Sequence, residues 1–344
     1  MIELGVEPQR KSVIIADEEP AHYLILGDFG GRATEPLAVD RESFDSVMAK
    51  LQVSLAGAPF RALEDFHPDR LFRNLDLFHG FDAADTEALA ERMRGLLHDP
   101  HFQAVEAAWR GLDFVIRSDS GDDSDVRIRI AHFPKAEAAR DLLEAKSRGE
   151  TRMKALLGAF KWRAVIGLYA FGSDSADIEF LGHMARLAAH IGAPFIAEGS
   201  ADMGDRWEEL RAIPEASYLG LALPRFLLRL PYSSGISAIN AFSFEEMPAA
   251  PVHAHYLWGN PALAFLTLLT AGGALNLEGL PIHTYQHEGE LQMTPGAEVC
   301  MTETQILSLI DLGLMPLVSF RESDCVRLAG FRAINGEELA LRSA

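Results

Sequence analysis

The sequence predicts an α/β protein, with mixed sheets and covering helices, and three observations carry that prediction. Between 126 and 197, β-branched or apolar runs alternate with helical segments: strand 126–130, helix 135–145, strand 164–170, helix 177–191, extended 194–197. Upstream, Phe102, Val105, Trp109, Leu112 and Ile116 recur at alternating spacings of three and four, which is one apolar helix stripe. Downstream, the apolar run 262–271 has Asn260 placed to cap it, Pro261 at its first position and Gly272-Gly273 to stop it. This predicts a short helix buried on all sides.

The remaining elements follow in order. Runs at 12–16 and 23–26 read as two strands of one sheet, the second ending in Gly27-Asp28. A helix is expected at 41–51, capped by Asp40, with Phe44, Val47, Met48 and Leu51 on its buried face. An Ala- and Glu-rich helix is expected at 83–97, ending before Asp99-Pro100. The change in composition places a boundary near Phe81, dividing the chain into 1–80 and 81–344. In the helix that follows, Glu106/Arg110 and Asp113/Arg117 are i,i+4 pairs assigned to the polar side. The run SDSGDDSD, 118–125, reads as a surface loop. Thr302 and Gln305 make a capping-box pattern for a helix ending at Gly313, and Pro316 opens a strand at 317–320.

Composition narrows the function. The 344 residues are 48% hydrophobic and 24% charged, as in a folded globular protein, and the formal charge of −19 without a basic patch argues against nucleic acid or anionic lipid as a partner. The run 262–271 is about half the ~20 residues a membrane helix needs, so no direct membrane insertion is expected. Two cysteines, Cys300 and Cys325, offer no CxxC pair. The opening MIELGVEPQRKSV lacks the apolar core of a secretory signal, so a reducing cytoplasm is the expected location.

Motifs for catalysis are few. Neither GxxxxGK[ST] nor GxGxxG occurs, and Gly27-Asp28-Phe29-Gly30-Gly31 reads as a turn. Ser233-Ser234-Gly235 is likewise a turn, since no GxSxG elbow is present. His253 with His255, or His283 with His287, are the candidates for a metal, but HxxxH converges only on a helix, and Pro281, Gly289 and Thr284-Tyr285 favour strand or turn. His183 and His190 read as surface residues on a polar helix face. The adjacent carboxylates Glu208/Glu209 and Glu245/Glu246 diverge in direction and read as surface charge.

One stretch stands out, ALPRFLLRLPYS at 222–233, in which two arginines sit in an apolar run between Pro224 and Pro231. As a strand it places Arg225 and Arg229 about 13 Å apart, too far to grip one phosphate together. Arg225, Leu227 and Arg229 are expected on one face, with Phe226, Leu228 and Leu230 on the core face. Separate salt bridges or an interface role then replace a shared anion site.

ALPRFLLRLPY, followed by FSFEE (242–246) and YLWGNPALAF (256–265), closely resembles the large sheath subunit of the type VI secretion system, the TssC (ImpC/VipB) family. HFQAVEAAWRGLDFVI (101–116) resembles that family's FQ-x-LE-x-x-WRGL helix. A similar order continues through IGAPFIA, WEELR, YLGLALPRF and LIDLGLMPLVSFRESD, covering about residues 100–333. At the front, LGDFGG, VDRESFDSVMAKL and LEDFHPDRLF, within about 20–78, resemble the small sheath subunit, the TssB (ImpB/VipA) family. The chain is thus similar to a shortened fusion of small and large subunit cores.

The resemblance implies a contractile-sheath-like core and a non-enzymatic cytoplasmic component without cofactors, made of subunits that intertwine into one α/β unit. In the family such units form a contractile helical sheath around a tube, and a AAA+ ATPase disassembles it. The implied partners are sheath or baseplate proteins and, in the polymerising case, other copies of itself. Gly27, Asp28 and Phe29, Trp109 and Arg110, Pro224, Arg225, Phe226 and Arg229, and Trp258, Gly259 and Asn260 are expected to serve structure or assembly, with no catalytic, cofactor or metal residue among them. The family's large subunit continues beyond the point matching Phe331. The expectation is therefore an accessory that docks on or caps the sheath or baseplate. The alternative is a minimal single-chain sheath protomer, and a remote one is a metal-dependent enzyme using His283/His287.

Overall fold

The computed structural model describes residues 20–33, 35–81, 85–118, 126–148 and 150–341. The strand expected at 12–16 and all but the first residue of the loop expected at 118–125 lie outside the described residues. In chain order, β1 (Ala21–Gly27) and β2 (Leu37–Val39) lead to α1 (Phe44–Leu51) and a tight hairpin of β3 (Ser54–Leu55) and β4 (Ala58–Pro59). Then come α2 (Pro68–Asn74), α3 (Thr86–Leu97) and α4 (Pro100–Ser118). Next are β5 (Val126–His132), α5 (Lys135–Arg148), α6 (Arg152–Gly158), β6 (Trp162–Ala170), α7 (Ser175–Ile191), β7 (Phe195–Glu198), α8 (Trp207–Arg211) and β8 (Leu219–Leu223). The last part holds β9 (Phe226–Arg229), β10 (Leu257–Gly259), α9 (Pro261–Thr270), β11 (Asn276–Leu277), β12 (His283–His287), β13 (Glu290–Thr294), α10 (Glu303–Asp311), β14 (Met315–Ser319) and β15 (Val326–Leu328).

Nine strands form one sheet in the order β11-β15-β14-β8-β7-β6-β1-β5-β2. The run from β14 to β5 is parallel, and β2, β15 and β11 add antiparallel margins. This is the mixed α/β architecture the alternating pattern predicts. β1 lies between β6 and β5, so residues before Phe81 and residues after it build the same sheet.

Both faces of the sheet are covered, which is why its central strands are apolar throughout. Tyr23 and Ile25 of β1 point into a core shared with α1, α4 and α9, while Leu24 and Leu26 point into a second core with α5, α6 and α7. α9 fills the first core, with every residue from Pro261 to Leu269 buried, as its uniformly apolar sequence requires. Asn260 accepts from the Ala262 N–H and caps it.

Three expectations are corrected by tertiary packing. The first helix starts at Phe44, not at 41, because the Asp40 carboxylate accepts from the N–H groups of Glu42 and Ser43 and holds them in a turn before the helix begins. Glu106 is not on a solvated face but completely buried. β9 has no inward and outward side: it leaves the main sheet to pair with β10, Phe226 enters the main core, and Leu227 packs with Tyr256 and Trp258. Leu228 and Leu230 are only partly buried.

Candidate functional site

The motif residues gather around α4 and β9 in three linked contacts. The first is a latch between β1 and α4. After β1 the chain turns at Gly27 to Gly31, the Asp28 carboxylate accepts from the Gly30 N–H at 2.8 Å, and Gly30 adopts φ 67°. The His132 Nδ1 accepts from the Phe29 N–H at 3.1 Å. Burial pushes the His132 pKa down, only partly countered by Asp28, in keeping with an accepting, neutral ring. The Trp109 indole N–H donates to the Phe29 carbonyl at 3.0 Å, and its ring meets Phe29 and Phe44 edge-on. No anion-binding geometry arises here, since a histidine and a carboxylate already occupy the loop's N–H groups.

The second contact is a buried ion cluster. Arg229 donates to Glu106 at 2.9 Å and to Glu246 at 2.8 Å, and both carboxylate side chains have 0% exposure. Arg110, one turn beyond Glu106 on α4, donates to the same Glu106 at 2.6 Å and to the Tyr232 hydroxyl at 3.0 Å. The Tyr232 N–H donates to Glu246, and the Arg229 guanidinium lies over the Tyr232 ring. Two cations and two anions thus compensate one another around fully buried carboxylates, with most hydrogen-bonding capacity used. Burial opposes the charge on Glu246, yet Arg229 and the other donors outweigh it and hold the carboxyl at about 2. For Arg229, too, burial is overridden by Glu106 and Glu246, so its pKa is raised well above the ordinary value. Glu246 is therefore not the surface charge that its adjacent pairing with Glu245 suggests.

The third contact surrounds Arg225, just after the cis Leu223–Pro224 bond. Its guanidinium forks onto both oxygens of Glu298, with Nε at 2.8 Å, while the chain at 296–298 bonds along β9 through Leu227 N–H to Gly296 O and Glu298 N–H to Arg225 O. Asn260 reaches from the α9 cap to Glu198 at the end of β7, at 3.2 Å. Burial raises Glu198 to about 7, since the attraction of Arg225 is offset by Glu298. Gly259 is required where β10 crosses β9: a Cβ there would lie 2.8 Å from Leu228. The Trp258 indole N–H donates to the His253 carbonyl.

The histidine candidates diverge. His253 sits beside Glu298, whereas His255 stacks on His98 with ring centroids 3.8 Å apart. His283 and His287 open and close the extended β12, about 13 Å apart along the strand. His283 shares a hydrogen bond with the Tyr256 hydroxyl at 2.7 Å.

Both arginines stand out in the apolar run between Pro224 and Pro231, whereas their carboxylate partners do not stand out in the sequence. Glu106 had a signal: it lies four residues after Phe102 and three before Trp109, within the apolar stripe. Glu246 ends the FSFEE motif but nothing there names its partner, and Glu298 had no signal, because both pair with arginines distant in sequence.

Comparison with known proteins agrees with the large-subunit part of the motif order. The profile of the VipB family, described as EvpB/VC_A0108, tail sheath N-terminal domain, matches residues 83–205 and 200–335. A relative, the type VI secretion system sheath protein TssC1 of Pseudomonas aeruginosa, is 26% identical over 302 residues, covering 73% of this chain and 60% of the relative. The chain thus spans under two thirds of that relative's length. No helix among the described residues is long and apolar enough to cross a membrane. With the family profile spanning well over half of its length, the chain belongs to the VipB family of type VI secretion sheath proteins.

Proposed function

We propose that this protein is a non-enzymatic, cytoplasmic structural component of a type VI secretion apparatus, in which residues of about 20–78 take the place of a small sheath subunit fused to the large-subunit core. The observation that carries this reading is the position of β1, which fills the slot between β6 and β5 and is latched to α4 through Trp109 and Phe29. A segment contributed by a separate subunit would need that much shared surface to be held; here it arrives in the same chain. The carboxylates and arginines at the site are committed to one another, which suits a scaffold better than proton transfer.

On this reading the protein docks on or caps the sheath or baseplate. Negative-stain microscopy of the purified protein, alone and mixed with authentic sheath subunits, tests it. Decoration or shortening of sheaths is the expected result, and no association with sheath subunits would remove the accessory role. A second reading, a single-chain protomer that polymerises, is favoured by the same β1 placement, because one chain then supplies the whole nine-stranded sheet. Self-assembly of the purified protein into tubules would establish it and displace capping.

A further inference from the structure

Beyond the sheath assignment, and independently of it, we propose that the cavity between α2 and the β9 loop is a docking site for an acidic peptide segment of a partner protein. The cavity has a volume of about 450 Å³, within the range of ligand-sized clefts. Arg70 and Arg73 stand at its mouth on α2, Arg110 and Tyr232 lie deeper, and Leu63 and Leu230 give it apolar wall.

The charges around it are arranged unevenly. Glu106 and Glu246 face inward, onto Arg229 and Arg110. Asp69 lines the cavity, but its carboxylate accepts from the Asn240 and Ala241 N–H groups at 2.9 Å and from the Asn240 side-chain amide at 3.0 Å, fastening the 237–241 loop. The His67 Nδ1 accepts from the Asp69 N–H, which leaves its other ring nitrogen as a donor. Glu64 is the remaining carboxylate at the rim. Arg70 and Arg73 are exposed and have no ion-pair partner among the described residues.

Two features select an acidic peptide. Arg70 and Arg73 are an i,i+3 pair, about 5–6 Å apart at the helix surface, which matches the ~6.6 Å between alternate side chains of an extended segment. The chain carries −19 overall, so an acidic partner is repelled from most of its surface and accepted where arginines cluster.

Fluorescence anisotropy with labelled hexaglutamate tests the site. Saturable binding that weakens with salt is expected, and R70E/R73E should weaken it by about tenfold or more. Both residues are exposed, so this variant should keep the wild-type thermal midpoint. R186E/R206E, on α7 and beside α8, changes net charge equally and should leave affinity within about twofold. Absence of binding, or equal loss in both double variants, would overturn the site. Binding of inorganic phosphate or citrate as tightly as the peptide would make it a small-oxyanion site and overturn the peptide assignment.

Discussion

Arg225, just before β9, and Arg229, the last residue of that short strand, meet opposite fates. Around Arg229, two cations face two fully buried carboxylates, and Glu246 is held at about 2. Around Arg225, one arginine serves two carboxylates. It forks onto Glu298, and Glu198 is left at about 7. Arg225 is also 39% exposed, against 9% for Arg229. Ion pairs in one motif therefore do different work, according to the count of opposing charges and to water access.

The largest effect that can sharpen this contrast is Arg229→Ala, which leaves Glu106 and Glu246 buried without their shared cation. It should cost about 3–5 kcal/mol in urea unfolding. A loss under about 1 kcal/mol would mean that the cluster is far wetter than its geometry.

The second test is pH. Glu198 rises from an ordinary 4.5 to about 7, so the folded protein keeps a proton there that the unfolded chain releases. Its contribution is full below pH 4.5 and is lost as pH rises through 7, by about 3 kcal/mol. Glu198→Gln should flatten that slope while retaining an acceptor for Asn260. Glu246 acts in the other direction: its contribution is present above pH 4.5 and fades as pH falls toward 2. Unfolding midpoints at pH 3, 5 and 8 separate the two, and an unchanged slope in Glu198→Gln would remove the one-arginine, two-carboxylate account.

Arg225→Ala should be milder, about 1 kcal/mol, because water can replace the lost fork. A cost matching that of Arg229→Ala would erase the distinction. The smallest effect is ionic: raising salt to about 1 M should weaken the Arg225–Glu298 coupling in a double-mutant cycle and leave Arg229–Glu106 nearly unchanged.

Much of the fold is legible in local pattern. The stripe from Phe102 to Ile116 gives α4, Asn260-Pro261 opens α9, and Thr302 with Gln305 forms the capping box that starts α10. The elements that escape prediction are short or depend on distant partners. β2 and β10 have three residues each, and β9, expected as a strand between its two prolines, has a partner in β10 that its own sequence does not announce. α2 begins at Pro68, a proline that marks a helix start and reads equally as a breaker.

The sequence by itself determined the alternating α/β pattern, the buried character of α9 and the motif order that places the chain among type VI sheath proteins, because periodicity, caps and motifs are local along the chain. Only the tertiary structure decided that β1 lies inside the sheet, between β6 and β5, and that Glu106 and Glu246 close around Arg229. Pairing across 17 and 123 residues depends on which surfaces are brought together and dried. Local pattern carries no record of that.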